Sequence, residues 1–157
     1  MPIRDFLPAA VTLALVGCPA QSNPDESIRE YLDLREERLS TQCRCFDLYL
    51  NLDEPGTPPY SSQQECLDAS PPSTNAGVEC IETTLESAGV GAEDSIELMR
   101  CYSSAIRDEI QCMLEHADDC STPQFTDCGA SAFGKMSLCH QDLTEDQISA
   151  LGHCAGL

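Results

Sequence analysis

Apolar residues recur along most of this chain at spacings of three, four and seven, and no convincing run alternates apolar with polar. That pattern predicts an all-α fold. Ile28, Leu32, Leu39, Cys43, Phe46 and Leu50 form the first stripe, in a helix expected over residues 24–50, the longest of the chain. Asn23 is placed to cap it, Pro24 suits its first turn, and Asp25 and Glu26 complement the helix dipole there. Arg29, Glu36 and Glu37 take the solvent side. Residues 51–61 carry three prolines and a glycine and read as a loop presenting Tyr60. Ser62 and Glu65 have capping-box spacing, which starts a short helix with Cys66 and Leu67. After a loop at 69–75, residues 76–88 make a helix bearing Cys80, Ile81 and Leu85, ended by Gly89-Val90-Gly91.

The strongest helical pattern follows. Asp94 and Glu97 repeat the cap spacing. Ile96, Met99, Ile106, Ile110 and Met113 share one face, and Leu98, Cys101, Tyr102, Ala105 and Cys112 another. A helix apolar on two sides belongs at the centre of its domain. Residues 117–122 read as a loop. Thr122-Pro123 starts a further helix that Gly129 and Gly134 weaken, and Thr144 with Gln147 caps a last one ending near Gly152. The expected architecture is a small helical bundle of about five helices with long loops.

Residues 1–17 stand apart from this fold. Arg4 precedes an apolar stretch from Phe6 to Val16, too short for the roughly 20 residues that span a bilayer. It ends in Leu15-Val16-Gly17-Cys18, which resembles a bacterial lipobox. The resemblance implies lipidation of Cys18 and removal of residues 1–17 as a signal peptide. The chain has 11 Cys, so setting Cys18 aside leaves an even number that closes as disulfides. The competing reading, a signal peptide cut after Ala20, strands an odd thiol. Residues 18–26 become the lipidated cysteine and a tether, and residues 27–157 the cysteine-rich domain. Pro19, not aspartate, follows Cys18; by analogy with enteric lipoproteins, in which an aspartate there favours inner-membrane retention, the resemblance implies the outer membrane, on its periplasmic or surface face.

Further along, Cys43-x-Cys45-Phe46, Tyr60-Ser61-Ser62-x-x-Glu65-Cys66, and Cys101, Cys112, Cys120 and Cys128 complete a layout similar to small cysteine-rich bacterial lipoproteins. The likeness implies an exported compartment and disulfides, and no activity.

Composition narrows the choices. With 27 acidic residues against 8 basic ones the net charge is −19, and removing Arg4 with Asp5 leaves it unchanged. Nucleic acid is an unsuitable partner, because phosphate binding needs Lys and Arg to release counterions. The membrane is reached through the lipid on Cys18, and any protein partner is unspecified. Trp is absent, so the core must be aliphatic and stapled. Ten cysteines are available for disulfides: Cys43, Cys45, Cys66, Cys80, Cys101, Cys112, Cys120, Cys128, Cys139 and Cys154. Cys43 and Cys45 lie about 200° apart on a helix and should face different partners. Cys101 and Cys112 are eleven apart, as are Cys128 and Cys139, and eleven residues return a helix to nearly the same face. Two antiparallel helices would then be laddered as Cys112–Cys128 and Cys101–Cys139, one scheme among about 945 for ten cysteines.

Candidate chemistry is sparse, and no cofactor or metal is expected. No Cys-x2-Cys knuckle suits zinc. Cys139-His140 resembles the end of a c-type haem motif, but Met136 stands where the first cysteine belongs. Glu115, Asp118, Asp119 and Asp127 gather oxygen ligands around one loop without EF-hand spacing. Cys112-x3-His116-x3-Cys120 resembles the His-bearing helix of secreted phospholipases, yet lacks their adjacent cysteines, their spacing after the His and their glycine-rich calcium loop. The expected role is structural or protein-binding, without catalysis. The alternative is a calcium-dependent hydrolase centred on His116 and the Asp118/Asp119 loop.

Overall fold

A computed structural model describes residues 23–46, 60–69, 74–140 and 142–155. These form six α-helices and no strand: α1 Pro24–Gln42, α2 Gln63–Asp68, α3 Asn75–Ser87, α4 Ala92–Glu115, α5 Pro123–Cys139 and α6 Glu145–Cys154. A 3₁₀ turn, Cys43–Cys45, follows α1. The domain is all-α, as the periodicity predicts.

Local chemistry sets most of the boundaries. Asn23 Oδ1 accepts the Glu26 N–H at 2.8 Å, and Ser62 Oγ accepts that of Glu65 at 3.1 Å. Thr144 and Gln147 make the reciprocal capping box. Gly89 ends the α3 segment at φ 75°, where a side chain would be strained although nothing lies within 4 Å of a Cβ built there. Gly89→Ala should therefore cost about 1–2 kcal/mol in a denaturant melt, all of it from the backbone.

Two boundaries differ from expectation. The 24–50 helix ends as an α-helix at Gln42, and α4, at 24 residues against 19, is longer. Cross-linking dominates there: Cys43 bonds Cys66 of α2, while two residues on Cys45 bonds Cys120 beyond α4. Residues 47–50, with Leu50, lie outside the described residues. Helix α4 is capped by Gly91 rather than Asp94, because the chain leaves the Gly89 turn extended at Gly91 and enters the helix at once. Asp94 sits inside the first turn beside Glu93, where both face the helix dipole. Pro24, Asp25 and Glu26, assigned above to the tether as well as to the helix, form the first turn of α1.

Helix α4 is central, packed on α1 along one side and α5 along the other. Ile28 and Leu32 of α1, Val78, Ile81 and Leu85 of α3, Leu98, Met99 and Tyr102 of α4, and Leu151 of α6 close one core. Ile106, Ile110 and Met113 of α4 meet Phe125 and Cys128 of α5 and Cys45 in a second. Five disulfides brace these layers. Cys112–Cys128 and Cys101–Cys139 ladder α4 to α5 in the pairing that the eleven-residue spacing predicts. Cys80–Cys154 joins α3 to α6. Among the described residues no helix is long and apolar enough to cross a membrane.

Candidate binding groove

One buried charge sits where α1, α4 and α5 meet. Glu109 is 1% exposed. Its Oε2 lies 2.8 Å from Arg38 Nε of α1, an ion pair whose atoms are not aligned as a hydrogen bond. Gln42 Nε2 donates to Glu109 Oε1 at 3.5 Å. Burial pushes the Glu109 carboxyl above its ordinary range, against the opposing pull of Arg38. Across from it, Gly129 of α5 lets the helix approach: a Cβ there would lie 3.5 Å from Glu109 Oε1. The pair fastens α1 to α4, with α5 packed closely against it at Gly129.

A groove of about 490 Å³ opens between the start of α4 and the end of α5, within the size range of ligand sites. One wall is the turn Ala88-Gly89-Val90 with Asp94, Glu97, Leu98 and Cys101. The other is Leu138, Cys139 and His140 with Asp142 and Leu143. The Cys101–Cys139 disulfide ties the two walls. Beneath them, Tyr102 and His140 Nδ1 share a hydrogen bond of 2.7 Å, and Tyr31 stacks obliquely on Tyr102 at 5.7 Å. Burial pushes the Tyr102 phenol up, with Tyr31 adding to it, so the hydroxyl stays neutral as a hydrogen-bonding anchor for His140. Three carboxylates, from Asp94, Glu97 and Asp142, line the groove, and among the described residues neither Lys nor Arg does. Its apolar surface comes from Val90, Leu98, Leu138 and Leu143.

Of the residues singled out from sequence, Cys101, Cys139 and His140 line the groove, while His116 and its acidic neighbours lie elsewhere. His116 closes α4, where its N–H donates to Met113 O at 3.2 Å and its carbonyl accepts the Asp119 N–H at 3.2 Å. Asp119 Oδ1 accepts the Ser121 N–H at 3.1 Å and hydroxyl at 2.6 Å. Glu115 accepts from Gln111, and Asp118 and Asp127 are exposed. Cys112 and Cys120, on either side of His116, are each held in a disulfide. The structure thus makes this stretch a cross-linked turn between α4 and α5. Among the described residues no cluster of His, Cys, Asp or Glu is placed to hold a metal ion. Tyr60 is half-buried, while residues 51–59 of its loop and Cys18 lie outside the described residues.

Sequence reasoning missed the groove, whose walls come from segments some 40–50 residues apart. One signal was available: Leu138 falls off the inward stripe Phe125, Cys128, Ala132 and Met136 of α5, and it is 65% exposed. Comparison with known proteins finds no matching family model, no matching curated protein and no matching solved structure.

Proposed function

We propose that this chain is an exported binding module without catalytic activity, held at the bacterial outer membrane by lipid on Cys18. The observation that carries the reading is the disulfide count. All ten cysteines after Cys18 are paired with one another, which fits an oxidising compartment and the even count reached by setting Cys18 aside. The lipobox pattern ending at Cys18 gives that one cysteine a different task. Stable anchoring takes more than a single acyl chain, so the modification would place several on this residue. Helix α1 starts at Pro24, so a short tether keeps the domain close to the bilayer. The acidic surface, at a net charge of −19, opposes flat docking on anionic lipid and leaves the groove facing protein partners.

Replacing Cys18 with serine is expected to move the protein from the membrane fraction to the soluble one and to abolish labelling by an alkyne fatty acid. A Cys18→Ser protein that stays with the membrane and keeps its label would refute the anchor.

A further inference from the structure

We infer that the groove between α4 and α5 takes a basic, leucine-bearing segment of a partner protein; this deepens the binding-module reading and rests on it. The groove joins two features that a single kind of partner satisfies. Its carboxylates, Asp94, Glu97 and Asp142, face it with no lysine or arginine in the lining among the described residues. Its apolar rim includes Leu138, at 65% the most exposed large aliphatic side chain among the described residues, ahead of Leu114 at 41%. A polycation alone would leave Leu138 uncovered, and an apolar ligand alone would desolvate carboxylates without pairing them. A segment with leucines on one face and lysine or arginine beside them covers the first and pairs the second.

The scaffold is prepared for such a ligand. The Cys101–Cys139 bridge fixes the spacing of the walls, so little is lost in ordering them on binding. The net charge of −19 speeds encounter with a cation. A second copy of the chain is unsuitable, because a two-fold contact through this face would set the same carboxylates against each other. A small enclosed ligand would leave most of Leu138 in water.

Fluorescence anisotropy tests this on the oxidised Cys18→Ser chain, so the state of Cys18 has no bearing on the outcome. The probe is a labelled helical peptide of repeated Leu-Lys-Lys-Leu. Leu138→Ser and the triple variant Asp94→Asn/Glu97→Gln/Asp142→Asn are each expected to weaken binding about tenfold or more. Leu138→Met should retain it, which separates lost apolar surface from misfolding. Phe133 is also exposed on α5 but lies about 140° round the helix from Leu138, so Phe133→Ser should leave affinity within about twofold. The triple variant Asp33→Asn/Glu37→Gln/Glu79→Gln, which removes as many charges elsewhere, should do the same. Equal losses from the two triple variants, equal binding of a Lys-Ser peptide, or no binding of the Leu-Lys peptide would each overturn the inference.

Discussion

Arg38→Met is expected to destabilise the domain by about 3–5 kcal/mol at pH 7, and Glu109→Gln by distinctly less. The asymmetry follows from burial. The Arg38 side chain is 24% exposed and that of Glu109 not at all. An arginine deprived of its partner can turn its guanidinium to water, whereas a carboxylate deprived of its partner stays charged in the core or takes up a proton. Burial already raises the Glu109 pKa in the folded chain, and losing Arg38 removes the influence that lowers it. A carboxyl whose folded pKa exceeds its unfolded value favours folding below the unfolded value, and that contribution is lost as pH rises through the folded one. The Arg38→Met deficit, taken against the parent protein at each pH, should therefore shrink as pH falls from 7 towards about 4.5. Urea melts of both variants at the two pH values check this. A deficit independent of pH, or a Glu109→Gln protein as unstable as Arg38→Met, would contradict it.

The disulfides should rank by the chain they enclose. Cys45–Cys120 spans 75 residues and Cys112–Cys128 only 16. Each pairs a fully buried cysteine with a half-buried one, so the packing lost on replacement is similar. Loop-closure entropy then makes Cys45→Ala/Cys120→Ala worse than Cys112→Ala/Cys128→Ala by about 1.4 kcal/mol, on top of a common loss of about 2–3 kcal/mol. Denaturant midpoints of the two double variants decide it, and the reverse order would show that native packing, not the enclosed loop, sets the cost.

How far the fold is legible in the sequence depends on how local the signal is. The α4–α5 ladder is readable because eleven residues bring Cys101 over Cys112 and Cys128 over Cys139, and the structure has both bridges. The other three bridges cross loops, and no spacing rule reaches them. Gly129 and Gly134 make α5 look weak, yet it runs unbroken to Cys139, because burial of Phe125, Cys128 and Ala132 and its two bridges to α4 outweigh glycine's low helix propensity. Glu109 is visible in sequence as a charge among Ile106, Ile110 and Met113, but its pairing with Arg38, 71 positions away, requires the packing of α1 on α4. The groove is harder still. Asp94, Glu97 and Leu138 look like ordinary solvent-side residues until the Cys101–Cys139 bridge brings their helices together. Conversely, His116 with its acidic neighbours looks like chemistry in sequence and is a helix end followed by a hydrogen-bonded turn.

Mass spectrometry of the N-terminal peptide from cell-derived protein, digested without reduction, tests the central assignment most directly. The expected species begins at Cys18 and carries the mass of its acyl chains, while the other ten cysteines are recovered as five cross-linked pairs. An unmodified peptide starting at Gln21, or a Cys18 recovered in disulfide linkage, would contradict the account.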